Sequence, residues 1–292
     1  MQVVLISGLS GSGKSVALNV LEDSGYYCVD NLPVKLLAEA VQLLRTAGHA
    51  RVAISMDARG GEAVALLPDY LDRLKNQGVD ARLLFLDAKD DTLIRRFAET
   101  RRRHPLAVGE ATLEEGIALE REMLSPVAEV GHRMDTSGLH ANALRGWIKE
   151  LLHADQGQTS LLFESFGYKQ GIPLDADFVF DVRCLPNPHY DPRLRALCGT
   201  DAEVISFLEN EPSVGHMLAD IRGFVETWLP AFRRDNRAYL TVALGCTGGQ
   251  HRSVYLAEQL AAYFRTPPHG IGPVLVRHRQ LSGQLSTSAG AP

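Results

Sequence analysis

The sequence predicts an α/β protein of two domains, an N-terminal parallel-sheet domain over residues 1–153 and a second α/β domain over residues 160–280. Three observations predict it. Short apolar runs alternate with longer segments of helical period through the first half, which argues a parallel sheet covered by helices. A complete G-x-x-x-x-G-K-S loop joins the first apolar run to the first helix, and a second strand-to-helix loop, C-x5-R-S, lies near the other end of the chain. The 292 residues, 45% of them hydrophobic, suffice for two cores at about 150 residues per domain.

The first strand is predicted at Val3-Val4-Leu5-Ile6, and it runs into Gly8-Leu9-Ser10-Gly11-Ser12-Gly13-Lys14-Ser15. Small residues at these offsets let consecutive backbone N–H groups turn inward around phosphates. Lys14 then reaches the β/γ oxygens and the Ser15 hydroxyl ligates Mg²⁺. A helix from Ser15 to about Leu21 adds its positive N-terminal end to the same anion. Further strands follow at 26–29, 52–56, 83–86 and 133–135. Most runs end in a polar or acidic residue, at Ser7, Asp30, Asp57, Asp87 and Asp135. Ligands of open parallel sheets sit at the carboxyl ends of the strands, so these side chains are expected around the phosphates.

Three features make the first domain resemble small P-loop kinases. Asp30-Asn31 ends the second strand where such kinases hold a substrate or a metal-bound water, although Asp-Asn-Leu-Pro is equally a turn and helix-start sequence. The run Val-Ala-Ile-Ser-Met-Asp57 ends in a carboxylate suited to orienting Mg²⁺, and Leu-Leu-Phe-Leu-Asp87 competes for that role. Arg95-Arg96 and Arg101-Arg102-Arg103-His104-Pro105-Leu106 resemble an arginine-bearing lid, since guanidinium groups stabilise charge spreading over γ-phosphate oxygens. The polar stretch from His153 to Thr159 then reads as a linker, placed at 154–159.

In the second domain, strands are expected at 161–166, 178–182, 204–207 and 240–244. The tail beyond Pro267 is rich in Gly, Pro and Ser, and residues 281–292, which carry no charged side chain, are expected to be disordered. The loop Cys246-Thr247-Gly248-Gly249-Gln250-His251-Arg252-Ser253 shares its C-x5-R pattern with cysteine phosphatases, in which amides and an Arg fork enclose a phosphate and a helix N-terminus activates the thiolate. Phosphate binding and phosphatase catalysis are separate claims, and the second needs a general acid. Asp181, Arg183 and His189, in or beside a stiff Pro-rich loop, are the candidate partners.

A net charge of −5 means that any polyanion must be met by a local patch rather than by the whole surface. The four cysteines, Cys28, Cys184, Cys198 and Cys246, form no C-x-x-C pair, so reduced thiols and a cytoplasmic location are expected. No basic n-region stands before the first strand and no apolar run approaches the ~20 residues that span a bilayer, so neither secretion nor membrane insertion is expected.

Five segments taken together carry a family resemblance: the Gly8 loop, Val29-Asp-Asn-Leu-Pro33, Ser165-Phe-Gly-Tyr-Lys-Gln-Gly-Ile-Pro173, Asp181-Val-Arg-Cys-Leu-Pro-Asn-Pro188 and Gly245-Cys-Thr-Gly-Gly-Gln-His-Arg-Ser-Val254. Over nearly its whole length the chain resembles the RapZ and YvcJ family. The resemblance implies an ATP- and GTP-binding regulatory protein with weak ATPase and GTPase activity. ATP would sit on Gly8, Leu9, Ser10, Gly11, Ser12, Gly13, Lys14 and Ser15, with guanine-nucleotide contacts at Asp57, Ala58, Arg59 and Gly60. It implies further a C-terminal domain that senses glucosamine-6-phosphate through Asp181, Arg183, His189, Cys246, Thr247, Gly248, His251 and Arg252. That domain would present a small RNA to a ribonuclease, and the protein would be a homo-oligomer.

One departure bears on RNA. The family's RNA-binding members finish in a dense Lys/Arg cluster, whereas the last 27 residues here hold only Arg277 and Arg279 with His269 and His278. Phosphate contacts supply most of the affinity for RNA, so binding is expected to be weak. Two function classes stay open: a nucleotide-dependent sensor of a phosphorylated metabolite, and an enzyme proper, either a small-molecule kinase or a Cys246-dependent phosphatase.

Overall fold

The computed structural model describes residues 1–107, 109–153, 159–234, 239–266 and 273–281. The chain divides into two compact units, Met1–Lys149 and Glu150–Pro292.

The first unit alternates strands and helices in the order β1 (Gln2–Gly8), α1 (Lys14–Asp23), β2 (Tyr27–Val29), α2 (Leu37–Thr46), β3 (Arg51–Ser55), α3 (Leu67–Asn76), β4 (Asp80–Asp87), α4 (Asp90–Thr100), α5 (Leu113–Val130), β5 (His132–Asp135) and α6 (Ala141–His153). All five strands are parallel, in the order β2-β3-β1-β4-β5. Central β1 is covered on both faces, which is why it reads as a continuous apolar run rather than an alternation. Val3 and Leu5 pack with Ile54, Leu83 and Phe85 of the neighbouring strands and with Leu37, Leu67 and Leu124 of the helices. At ~1.5–3 kcal/mol for each large side chain removed from water, this cluster is the main support of the sheet. The chain leaves β1 to build β2 and β3 on one side, then returns past it to β4 and β5. The carboxyl end of β1 is thus where the winding reverses, the usual ligand position of such sheets.

Helix ends obey local chemistry. In α5 the Thr112 hydroxyl accepts from the Glu115 N–H while the Glu115 carboxylate accepts from the Thr112 N–H, a reciprocal capping box. Between β3 and α3 lies a 3-10 segment, Ala58–Leu66, kinked at Gly61, whose φ of 70° suits glycine.

The second unit contains β6 (Ser160–Gly167), β7 (Phe178–Asp181), α7 (Ala202–Glu209), α8 (Pro212–Arg234), β8 (Tyr239–Cys246), α9 (Arg252–Arg265) and β9 (Val274–His278). Its four strands are parallel in the order β7-β8-β6-β9. Two expectations are corrected here. Residues 204–207, expected as a strand, lie inside α7, because Val204 and Leu208, four apart, are the pair that faces the core; the period is helical and the β-branched and aromatic content misleads. Val274–His278, in the Gly-, Pro- and Ser-rich stretch beyond Pro267 where no strand was expected, is a strand paired with β6. Its apolar run is only three residues long, and Arg277 behind it is buried beside the charges of Glu164 and Asp175, an arrangement that a strand pattern does not announce. Residues 154–158 of the expected linker and 282–292 of the expected disordered tail lie outside the described residues. No helix among the described residues is long and apolar enough to cross a membrane.

Candidate functional site

The phosphate loop is shaped by positions that only glycine tolerates. Gly8 has a φ of 143°, and a Cβ there would lie 2.1 Å from the Leu86 carbonyl oxygen on β4. Gly13 has a φ of 109°, and its Cβ would meet Leu144 at 2.6 Å. The Leu9 N–H donates to the Leu86 carbonyl and the Ser12 N–H to the Leu9 carbonyl, which closes the turn. Lys14 folds back and donates to the Gly8 and Leu9 carbonyls at 2.5 and 3.0 Å. Burial pushes its ammonium below the ordinary lysine value, while the carboxylates of Glu120, Asp57 and Asp30 pull it back up and Arg59 pushes it down. Two of the expected strand-end acids thus surround Lys14, yet among the described residues none forms an ion pair with it. Ser15 is exposed beside it, at the N-terminal end of α1. The hydroxyl of Ser12, within the loop, is buried and has no protein partner among the described residues. A cation held only by carbonyls and an orphaned hydroxyl fit a nucleotide phosphate with its Mg²⁺.

Asp57 and Asp87 occupy different environments. Asp57 follows β3, where the Met56 N–H bonds to the Ile6 carbonyl of β1, so it stands next to the loop. Its carboxylate accepts from the backbone and side chain of Arg59, at 3.0 Å from the amide and 2.7 Å from Nη2. Asp87 is 1% exposed and closed off: Arg121 donates to both oxygens, Arg133 to one, and the Ala88 N–H bonds it at 2.7 Å. It ties β4 to α5 and β5 rather than facing the loop. Asp30 accepts from the Ser55 hydroxyl at 2.6 Å, and Asn31 adopts a left-handed φ of 53°, so Asp30-Asn31 is a turn pinned to β3.

The basic segment divides. Arg96 reaches the loop, donating to the Gly11 carbonyl at 2.9 Å and to the Thr136 carbonyl at 2.7 Å. Arg95, Arg101, Arg102 and Arg103 are exposed. His104 is no part of a lid: it is buried under the loop against Glu120, a residue that sequence reasoning missed. One Glu120 oxygen accepts from the Ser10 N–H at 2.7 Å and from His104 Nε2 at 3.0 Å; the other accepts from the Ser10 hydroxyl at 2.8 Å. Because His104 Nδ1 accepts from the Leu106 N–H, the ring proton sits on Nε2 and points at Glu120. The available signal was a carboxylate on the apolar stripe of α5, with Ile117, Leu124 and Val127. Glu120→Ala strands the Ser10 amide and the His104 proton in the interior. A loss of about 3 kcal/mol is expected in chemical denaturation, with Glu120→Gln, which keeps one acceptor, losing less.

In the second unit the loop between β8 and α9 brings the expected residues together. Gly249, at a φ of 73°, has no room for a Cβ, which would lie 2.7 Å from the Gly167 nitrogen. Cys246 Sγ accepts from the Gly249 N–H at 3.2 Å and lies 3.2 Å from the Ser253 hydroxyl. Burial raises the thiol pKa, but the hydroxyl and amide of Ser253, the Gly249 amide and the Arg252 charge outweigh it, and the net shift is downward. Arg252 is 4% exposed: Nη1 donates to the Arg183 and Leu185 carbonyls at 2.8 and 2.9 Å, Nη2 lies 3.4 Å from the Thr247 hydroxyl, and Nε has no partner among the described residues. Thr247 and Gly248 form the exposed rim.

Asp181, opposite Gly245 in the β7–β8 register, is gripped by Arg183, whose guanidinium also lies 3.9 Å over the Tyr168 ring. Hydrogen bonding by Arg183 holds the Asp181 carboxyl below its ordinary value. The pair repeats the Asp57–Arg59 arrangement, an Asp accepting from the amide and guanidinium of the Arg two residues on. His251 is buried and bonds the Leu194 carbonyl through Nε2, and the exposed His189 ring lies 6.3 Å away from it.

Among solved structures, a shikimate kinase from Bacteroides thetaiotaomicron aligns with 51% of this chain and 97% of its own, at 17% identity and a TM-score of 0.37. A deoxyadenosine kinase from M. mycoides aligns with 52% and 98%, at 17% identity and a TM-score of 0.33. A nucleotide-binding protein of Aromatoleum aromaticum is 60% identical over 287 residues, 98% of this chain and 97% of the relative. One of Thiobacillus denitrificans is 60% identical over 282 residues, 97% of this chain and 100% of the relative. The family model of the RapZ-like N-terminal domain matches residues 1–156, and that of the RapZ C-terminal domain matches residues 159–282. Matched in both halves, and nearly end to end by nucleotide-binding relatives, this chain belongs to the RapZ family.

Proposed function

We propose that the chain is a regulatory sensor that binds ATP and GTP with Mg²⁺ at the Gly8 loop, hydrolyses them slowly, and reads a phosphorylated sugar at the Cys246 loop. The observation that carries this reading is that each unit holds a preset cation, Lys14 or Arg252, at a strand-to-helix loop, with a buried polar atom there, Ser12 Oγ or Arg252 Nε, that has no partner among the described residues. The family resemblance points to glucosamine-6-phosphate as the sugar phosphate, and to Asp57, Ala58, Arg59 and Gly60 as the guanine-nucleotide contact.

With nucleotide bound, Lys14 would exchange the Gly8 and Leu9 carbonyls for β/γ oxygens, and the Ser15 hydroxyl and Asp57 carboxylate would hold Mg²⁺, whose charge would offset that of the phosphates. Turnover is slow because the nearby carboxylates are engaged. Glu120 spends its oxygens on Ser10 and His104, and Asp87 on Arg121 and Arg133, so neither is placed to orient an attacking water. In the second unit, Asp181 is held ionised by Arg183, which suits ligand contact and not proton donation to a leaving group.

RNA binding is weak in this reading, since the cations of the described tail are consumed internally. Arg277 is buried, and Arg279 pairs with Glu164 at 3.3 Å. Steady-state hydrolysis by the full chain tests the sensor reading. Rates far below the roughly 1–100 s⁻¹ of kinases are expected, and turnover in that range, or rapid transfer to an added metabolite, would instead favour an enzyme.

A further inference from the structure

The sensor reading leaves Cys246 without a chemical task, although its surroundings are those of a nucleophile. The sulfur receives the Gly249 N–H, faces the Ser253 hydroxyl, and sits at the start of α9. The guanidinium of Arg252, more than nine-tenths buried, touches the loop at Thr247, and its Nε–H has no partner among the described residues. Ser253 and Gly249 donors, a cation and a helix N-terminus all favour sulfur as an anion. The other cysteines lack this. Burial and Glu22 push the Cys28 thiol up to about 11, Cys198 pairs with the Thr200 hydroxyl, and Cys184 is exposed with no such shell.

We propose that Cys246 is a site of reversible oxidation by hydroperoxides, and that its oxidised form closes the loop to phosphate ligands. The thiolate attacks one peroxide oxygen, a sulfur–oxygen bond forms as the oxygen–oxygen bond breaks, and hydroxide leaves. Sulfur gives up two electrons and becomes a sulfenic acid; the peroxide takes them and becomes hydroxide and, with a proton, water. The added oxygen stands inside the loop and competes for the amide and guanidinium donors that a phosphate needs. A reductant of the thiol class restores the sulfur through a mixed disulfide. Closure of the loop rests on the sugar-phosphate reading given above; oxidation itself does not.

The test treats the reduced full-length protein with a small excess of hydrogen peroxide in the presence of dimedone and maps the label by peptide mass spectrometry. Cys246 is expected to label at least several-fold faster than exposed Cys184, with a rate that rises at lower pH than that of an ordinary thiol, and inorganic phosphate should slow it. Ser253→Ala should lower the rate severalfold. Faster labelling of Cys184, or a Cys246 rate that climbs through pH ~8.5 like an ordinary thiol, would overturn the proposal without any variant. Glucosamine-6-phosphate titrated before and after peroxide separates the two readings. Failure to bind the reduced protein counts against the sugar-phosphate site alone, whereas undiminished binding after complete Cys246 oxidation overturns closure.

Discussion

Lys14→Ala is expected to abolish Mg-dependent hydrolysis of ATP and GTP and to weaken both nucleotides by well over tenfold, about 1.4 kcal/mol or more. Lys14 is bound by carbonyls of its own loop and by no carboxylate among the described residues, so its charge is available to β/γ oxygens at little cost. Removing it also frees the Gly8 and Leu9 carbonyls, and the loop loses two of the bonds that fix its curvature. Lys14→Arg should not rescue, because a planar fork does not fit where a compact ammonium sits between the Gly8 and Leu9 carbonyls. Isothermal titration with each nucleotide, beside a phosphate-release assay, measures both effects. Unchanged hydrolysis in Lys14→Ala would remove the active site from this loop.

Arg252→Ala should have a comparable effect in the second unit. The wild-type guanidinium has two parts: Nη1 ties down the segment carrying Arg183 and Leu185, and Nε, without a partner among the described residues, is left for the proposed phosphate. Binding of a sugar phosphate should fall below detection, since charge-assisted contacts are lost while a desolvated site remains. A stability loss of about 2 kcal/mol should accompany it, from two carbonyls left without a donor. Cys246→Ser should lower affinity only modestly and should not change phosphate release from an aryl phosphate, which is expected to be absent in the wild type. Steady release that vanishes in Cys246→Ser would make the loop a phosphatase.

The elements that place the two strand-to-helix loops were legible because their signals are local. A buried parallel strand is a continuous apolar run, and a phosphate loop needs particular residue types at fixed offsets, so β1 with its loop and β8 with its loop could be read directly. The choice between Asp57 and Asp87 could not, since both end apolar strands in a carboxylate. What separates them is Arg121 and Arg133, which lie 34 and 46 positions beyond Asp87 and meet it only after folding. Glu120 was hidden for the same reason: its partner Ser10 is 110 positions away. For residues 204–207 the composition favoured a strand and the period a helix, and burial of Val204 with Leu208 decided between them.

The grip of Arg59 on Asp57 has a consequence for the order in which the first site fills. If Asp57 holds the metal as proposed, a divalent cation arriving alone would have to evict a guanidinium bonded to both oxygens of that carboxylate. A bound nucleotide would bring its own inducement, because its phosphates would give Arg59 an alternative anion to the carboxylate it leaves. In the proposed site the chain therefore behaves as a competitor of free Mg²⁺ and an acceptor of Mg²⁺ already carried on phosphate. In that proposed site cation and nucleotide would enter as one cargo, and the gatekeeper would be a single side chain, Arg59, already bonded to the carboxylate.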